Sequence, residues 1–559
     1  MEEQQMERQT ERQTEEKTAG AGKTFAIHTL GCKVNTYESD AISGRLRALG
    51  FQEVPFSEKA DIYLINTCTV TNIADRKSRQ MLHRARKKNE KALVVAAGCY
   101  VDAAMQNASM HALLEDRTVD LFVPNKDKAR AAALILKRLA EDGQMEKAEA
   151  DAANANAEET KAGQEASACT SADKQHADAG NENAGKGKAE ENEAPSMFIT
   201  ELDGHTRAFL KVQDGCNQFC TYCIIPYVRG RIHTRPIADV VAEVRELTAH
   251  GVTEVVLNGI HLSSYGKEWM RNKKNPQAAK QPDMLTPEQV PTVNLPQIDA
   301  EEEGAPAAAK ASVPSRKGDD IVNTKDAPLL ALIAAVDAVE GITRIRLGSL
   351  EPRLMTEEFV QELSRCKKIC PQFHLSLQSG SDTVLRRMNR HYDTALYREV
   401  CARLRRYYDN PAITTDIIAG FPGETEAEFQ ESLRFLKEIG FYEAHVFKYS
   451  RRAGTVADYM DGQVNEQQKA VRSEALIKEA AALSHAYRSS FLGKELTFLA
   501  EEALRFGDSL YLTGYTPEYV RCFKKVEAKE ASLLQGKLVS GNAIEIFTEK
   551  SVDESLLLR

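Results

Sequence analysis

The chain has 559 residues, 42% of them hydrophobic, and a formal net charge of −9. That length exceeds what one hydrophobic core supports, and no stretch approaches the ~18 consecutive apolar residues of a membrane span, which argues for a soluble, cytoplasmic protein of several domains. The charge is local: residues 141–196 hold 14 Asp/Glu against 5 Lys/Arg, leaving the remainder formally neutral, so the overall sign does not exclude an RNA partner.

In chain order, residues 23–140 alternate short apolar runs (Phe25–Leu30, Ile62–Ile65, Leu93–Ala97) with helical stretches (Tyr37–Leu49, Asp75–Lys88). Alternation of this kind predicts a parallel sheet covered by helices. Residues 141–196 are rich in Ala, Glu, Asn and Lys and nearly lack aromatic and β-branched residues, so they read as a low-complexity acidic linker. Residues 197–490 repeat the alternation through Phe209–Val212, Val255–Leu257, Ile345–Leu347, Phe373–Leu377, Thr415–Ile418 and Ala444–Phe447. Six such units predict a partial (α/β) barrel, interrupted by a second low-complexity segment at 267–327. From 491 to 559 short strands and turns predict a small β-barrel. The fold class is α/β with a small all-β C-terminal domain.

Six of the eleven cysteines form two triplets. Cys216, Cys220 and Cys223 are contiguous and follow the first predicted barrel strand. Cys32, Cys68 and Cys99 are dispersed, but each closely follows one of the three N-terminal strand runs. Ligands gather at the carboxyl ends of strands in open α/β sheets, so the topology brings the dispersed three together. Thiolates at these spacings favour iron–sulfur or zinc; zinc would need a fourth ligand, and after Cys223 no Cys or His follows until His233. Three thiolates on a [4Fe–4S] cluster leave one iron open. Cys169, Cys366, Cys370, Cys401 and Cys522 form no further ligand set and read as packing or free thiols.

The pattern Cys-x3-Cys-x-Tyr222-Cys resembles the radical S-adenosylmethionine (SAM) superfamily. Thr29-Leu-Gly-Cys32-Lys-Val-Asn35, Asn66-Thr-Cys68-Thr-Val-Thr71, Gly98-Cys99-Tyr100, His374-Leu-Ser-Leu-Gln378-Ser-Gly-Ser381 and Asp416-Ile-Ile-Ala-Gly-Phe-Pro-Gly-Glu424 are similar to its methylthiotransferase branch, in the variants of the MtaB type. The resemblance implies two [4Fe–4S] clusters. Cys216, Cys220 and Cys223 would hold the radical cluster that cleaves SAM, and Cys32, Cys68 and Cys99 an auxiliary cluster that donates sulfur. It implies methylthiolation at C2 of threonylcarbamoyladenosine, just 3′ of the tRNA anticodon. An isopentenyl-type adenosine, a ribosomal-protein aspartate, or a non-catalytic iron–sulfur RNA-binding protein are the alternatives. The implied partners are tRNA, a flavodoxin- or ferredoxin-like electron donor and a sulfur source, with no membrane and no DNA.

SAM contacts are expected at Tyr222, Asn258, Gly259, Ser349, Glu351, Gln378 and Ser379, at strand ends and in the cluster loop. RNA contacts are expected at Arg229, Arg231 and Arg235 after that loop, and at Lys77 and Arg79 within the basic run Arg76–Lys91. The C-terminal block resembles a TRAM domain. It carries 9 basic and 11 acidic side chains, so an RNA role there would lean on Tyr511, Tyr515 and Tyr519, which could stack bases or pack a core.

Overall fold

The computed structural model describes residues 20–141, 143, 197–199, 206–271, 327–549 and 552–559. Cys169, nearly all of the acidic linker and most of the 267–327 segment lie outside these residues. The first five residues of that segment depart from the low-complexity expectation and form a short helix, Lys267–Arg271.

The N-terminal unit is a five-stranded parallel sheet of order β2-β1-β3-β4-β5. Its strands are β1 (Thr24–Thr29), β2 (Gln52–Glu53), β3 (Ile62–Thr67), β4 (Leu93–Gly98) and β5 (Leu121–Val123). Strands β3 and β4 are buried along their whole length, as a sheet covered on both faces requires. Ile62, Leu64 and Val95 point into one core, while Tyr63, Ile65 and Val94 point into the other. Helices α1 (Lys33–Ala48), α2 (Asn72–Lys88) and α3 (Cys99–Gln106) each begin just past a strand that leads to a cysteine. Thr71 caps α2 by accepting from the Ala74 amide at 3.2 Å, and Arg86, Lys87 and Lys88 close its last turn, where the helix dipole favours cations.

The central unit holds six parallel strands: β6 (Arg207–Asp214), β8 (Glu254–Gly259), β9 (Arg344–Leu347), β10 (Gln372–His374), β11 (Ala412–Ala419) and β12 (Glu443–Lys448), with the short β7 (His233–Thr234) antiparallel to β6. They form two sheets, β7-β6-β8-β9 and β10-β11-β12. Bridges Ile345↔Ile369 and Leu350↔Leu375 carry the wall from β9 to β10. This is the expected partial barrel, open between β6 and β12. Alternate residues such as Leu210, Val255, Ile345, Phe373 and Ile417 pack outward against the helices. Their neighbours Phe209, Val256, Arg346, His374 and Asp416 therefore face the lumen.

The C-terminal unit is a closed five-stranded barrel of order β13-β14-β15-β17-β16, from β13 (Glu495–Phe506), β14 (Ser509–Tyr515), β15 (Arg521–Lys525), β16 (Leu538–Glu549) and β17 (Val552–Leu558). Closure brings β14 so near β13 that a Cβ on Gly514 would lie 1.7 Å from the Leu499 carbonyl oxygen; only glycine fits. This barrel docks under the strand starts of the central one. Arg346 donates to the Thr516 and Pro517 carbonyls, both at 2.7 Å, and Arg344 to the Tyr515 carbonyl at 2.9 Å. No helix of the described residues is long and apolar enough to cross a membrane.

Candidate active site

The dispersed cysteines meet because β1, β3 and β4 are adjacent and parallel. Cys32 sits at the N-cap of α1, Cys68 follows β3 and Cys99 opens α3. Side-chain amides and hydroxyls stitch this edge. Asn35 Nδ2 donates to the Leu30 and Thr67 carbonyls at 2.7 and 3.1 Å, Asn66 Nδ2 to the Asn35 carbonyl at 2.9 Å, and Thr67 Oγ1 to the Ala97 carbonyl at 2.6 Å. Gly31 adopts φ +100°, and a Cβ there would lie 2.9 Å from the Cys68 sulfur, so the edge closes around a glycine. Burial pushes the Cys68 thiol up to about 12 and the Cys99 thiol upward, with Arg229 and Lys128 pulling the latter back. Such groups become thiolates when a cation compensates them.

The contiguous triplet wraps a loop after β6. Gly215 (φ +67°) passes where a Cβ would meet the Arg231 carbonyl at 1.9 Å, and Phe219 is left-handed at φ 49°. A distant segment fastens the loop: Thr221 Oγ1 donates to the Arg387 carbonyl at 2.9 Å and Asn389 Nδ2 to the Phe219 carbonyl at 3.0 Å. Arg390, packed over the Tyr392 ring at 4.8 Å, donates to the Cys220 sulfur at 3.1 Å. Burial, then the neighbouring Cys220, raises the Cys223 thiol to about 12. Among the described residues, the only His/Cys/carboxylate trio with all ligand atoms within 4.8 Å is His374, Asp416 and His445. Both cysteine triplets are thus spread more widely than a single ion needs, since tetrahedral zinc sets its sulfurs about 3.8 Å apart. The soft thiolate donors of both triplets fit iron–sulfur clusters.

The residues expected around SAM separate. Asn258 and Gly259 end β8 beside the loop; a Cβ on Gly259 would meet Gln213 Oε1 at 2.7 Å, and one on Gly348 would meet Asn258 Oδ1 at 2.9 Å, so two glycines keep this end shallow. Glu351 is buried, paired with Arg353 at 2.6 Å and His261 at 3.3 Å. Burial alone would raise its carboxyl, but these partners hold it well below the usual range. Asn217 Oδ1, in the cluster loop, is buried without a hydrogen-bond partner, a polar atom available to a polar ligand at the mouth. Gln378 (φ 71°) bridges β11 through its backbone. Tyr222 packs beside Phe421 and Tyr449. Ser379 turns outward to Ser432 Oγ at 3.1 Å, and Ser349 is exposed. His261, Arg353 and Arg390 carried no local motif; only the fold brings them to the loop.

The arginines expected on RNA divide as well. Arg229 is not on the surface: its guanidinium is 1% exposed and binds Glu38 at 2.9 Å, Asp214 at 3.1 Å and Asn35 Oδ1 at 2.6 Å. Arg235 is likewise buried, on Glu243 at 2.6 Å and the Tyr37 hydroxyl at 2.9 Å. Both therefore correct the phosphate assignment: they join α1 to the central barrel, because a buried guanidinium needs carboxylate partners. Arg231 stacks over the Phe219 ring at 5.0 Å. Lys77 is exposed, and Arg79 bonds the Tyr100 hydroxyl at 2.5 Å.

A third buried guanidinium, Arg452 after β12, binds Asp75 at 2.7 Å and Asn72 Oδ1 at 2.8 Å, and also reaches Thr69 beside Cys68. On the other side, Asn125 Nδ2 lies 3.6 Å from the Cys99 sulfur and donates to the Val228 carbonyl at 2.9 Å. The N-terminal unit is thus clasped to both rims of the open barrel, after β6 and after β12, and its cysteine edge faces the same mouth as the contiguous loop. From that edge Lys33 reaches the lumen. It keeps solvent access, yet burial and the nearby Arg207 and Arg346 draw its ammonium down to about 8; a group both wetted and hemmed in lines a cleft. Across the lumen, His374 Nε2 lies 3.4 Å from Asp416 Oδ2 and its ring stacks on His445 at 6.0 Å.

A three-cysteine loop at the mouth of an open parallel barrel, faced by a second three-cysteine edge, is the arrangement of a radical SAM enzyme. Family models and sequence relatives agree. Residues 24–123 match the model "Uncharacterized protein family UPF0004" and residues 317–436 the "Radical SAM superfamily". The chain is 31% identical over 519 residues, 92% of its length and 94% of the relative's, to threonylcarbamoyladenosine tRNA methylthiotransferase MtaB of Bacillus subtilis (strain 168). It is 28% identical to tRNA-2-methylthio-N(6)-dimethylallyladenosine synthase of Alkaliphilus oremlandii (strain OhILAs), covering 95% and 92%. A solved structure of the radical SAM methyltransferase TsrM from Kitasatospora setae aligns with TM-score 0.43 at 12% identity, over 82% of this chain and 89% of that one. The chain belongs to the MtaB family of methylthiotransferases, radical SAM enzymes that use SAM and [4Fe–4S] clusters.

Proposed function

We propose that this protein inserts a methylthio group at C2 of N6-threonylcarbamoyladenosine next to the tRNA anticodon. The observation that carries this reading is the facing of the two cysteine edges across one mouth, clasped by Arg229 and Arg452. Cys216, Cys220 and Cys223 would hold the radical cluster and Cys32, Cys68 and Cys99 the auxiliary one; when bound, clusters and SAM supply one-electron bond cleavage and the transferred sulfur. Asn258, Gly259, Gln378 and Tyr222 border the SAM end, Glu351 positions Arg353 and His261 there, and the N-terminal unit excludes water from the open side.

The lumen supports the threonylcarbamoyl substituent over an apolar dimethylallyl one. His374, Asp416, His445 and Lys33 line it, and an apolar group would leave them unpaired, a cost that discriminates strongly between substrates. Arg76, Lys77, Arg84, Lys87 and Lys91 are exposed along α2 and its end, a stripe suited to stem phosphates. The closed C-terminal barrel we read as a TRAM-like RNA-binding domain. A flavodoxin- or ferredoxin-like donor would supply electrons and a separate source the sulfur, in the cytoplasm. Nucleoside mass spectrometry of tRNA from a strain lacking the gene tests the assignment: loss of 2-methylthio-threonylcarbamoyladenosine, with its unthiolated precursor accumulating, is expected, and its persistence would refute the reading.

A further inference from the structure

Toward the strand-start end of the lumen, the cations of Lys33, Arg207 and Arg346 gather around Tyr519 against two carboxylates, Glu254 and Glu501. Lys33 Nζ, on the residue after Cys32, lies 6.0 Å from the ring centroids of both Phe209 and Tyr519. The guanidinium of Arg207 is 5.3 Å and that of Arg346 4.8 Å from the same Tyr519 ring. Glu254 takes Arg346 at 2.7 Å and reaches Arg207 at 3.7 Å, and Glu501 reaches Arg207 at 3.5 Å. No acidic side chain among the described residues pairs with Lys33, and Arg207 Nη1 is buried without a hydrogen-bond partner. Cations gathered in a cleft beyond what their own carboxylates balance form a site for an anion.

Three separate parts of the chain build this site: α1 supplies Lys33, β6 supplies Arg207 and Phe209, and the turn before β15 supplies Tyr519, held at φ 67°. Tyr519 stacks on Tyr515 at 4.4 Å with the rings 13° apart, which fixes the platform that the cations surround. Lys33 leaves the same helix start as a cysteine of the auxiliary set, so an anion it holds lies beside that edge of the lumen.

We propose that Lys33 and Arg207 form an anion subsite in the barrel lumen that holds the carboxylate of the substrate's N6 side chain. The assignment rests on the reading given under Proposed function, which supplies a substrate whose N6 group ends in a carboxylate. Lys33 is then a specificity residue: it rewards the acidic side chain and gives an uncharged N6 group nothing. Tyr519 ties the C-terminal barrel to the same recognition, as the floor of the subsite.

The test uses the full chain, anaerobically reconstituted, with two anticodon stem-loop RNAs. One carries N6-threonylcarbamoyladenosine and the other its carboxyl methyl ester; product is measured by nucleoside mass spectrometry. The wild type is expected to prefer the acid by about 10–100-fold in kcat/KM, carried by KM, the range of a charge-assisted contact. Lys33→Gln should raise KM for the acid to the ester's level and leave the ester unchanged, and Lys33→Arg should recover most of the preference. Should Lys33→Gln lose iron, Arg207→Gln, on β6, carries the same comparison. Equal use of acid and ester by the wild type would overturn the subsite, as would equal damage to both in the variants, the result expected if the anion were a backbone phosphate. If the wild type thiolates neither RNA, the functional reading itself fails.

Discussion

Arg229, six residues beyond Cys223, forms a buried ion pair at 2.9 Å with Glu38, six residues beyond Cys32. The two cysteine sets are thereby tied together by side chains at equal distances along their own segments. Glu38 also holds Lys128 at 2.5 Å and Lys211 at 2.9 Å, so the clasp is a network in which each charge depends on the others.

Arg229→Met should therefore cost about 3–5 kcal/mol, the range for breaking a buried pair and stranding its partner, read as a fall in the thermal midpoint. It should also lower the methylthiolated product formed per 5′-deoxyadenosine, because the auxiliary edge no longer faces the radical site squarely. A drop in stability at unchanged product ratio would reduce Arg229 to a fold stabiliser.

Cys220→Ala should abolish SAM cleavage, whereas Cys68→Ala should keep 5′-deoxyadenosine formation and lose sulfur insertion. Anaerobic assays of both with SAM and dithionite distinguish the roles. Equal loss of SAM cleavage in the two variants would break the division of labour.

Gly31→Ala isolates the auxiliary site without touching a thiol. At φ +100°, with its new methyl 2.9 Å from the Cys68 sulfur, alanine must displace that cysteine. Iron should fall from about eight to about four per chain, with SAM cleavage retained. Full iron content would show that this edge tolerates the shift.

Acid should loosen the radical loop through Glu428. Burial alone would raise its carboxyl, but Arg387, Thr383 and the Thr425 amide outweigh it and lower the group from 4.5 to about 2. A carboxyl depressed in the folded state adds stability that is complete above pH 4.5 and disappears as pH falls toward 2. Arg387, which pairs with Glu428 at 2.8 Å, also holds Thr221 through its carbonyl. Thermal midpoints at pH 7 and pH 3 should therefore diverge in the wild type and converge in Glu428→Gln; parallel behaviour would remove Glu428 from the acid response.

Much of this was legible in the chain because strand periodicity and cysteine placement are local signals. Ile62–Ile65 and Leu93–Ala97 are apolar runs that end at a cysteine, and their adjacency in a parallel sheet is enough to gather three thiols. The arginines were not legible in this way. Arg229, Arg231 and Arg235 look alike in sequence, and what separates them is the partner each meets. Two meet Glu38 and the Tyr37 hydroxyl across a buried seam, while the third stays on Phe219. Arg390, Arg452 and the Lys33 cleft depend on contacts spanning well over a hundred positions, which no motif encodes.

The most direct test is incubation of the reconstituted full-length protein with SAM, dithionite and tRNA bearing N6-threonylcarbamoyladenosine, followed by nucleoside mass spectrometry. The expected products are 2-methylthio-threonylcarbamoyladenosine and 5′-deoxyadenosine. Formation of 5′-deoxyadenosine without any methylthiolated nucleoside, or thiolation of dimethylallyladenosine tRNA instead, would contradict the proposed function.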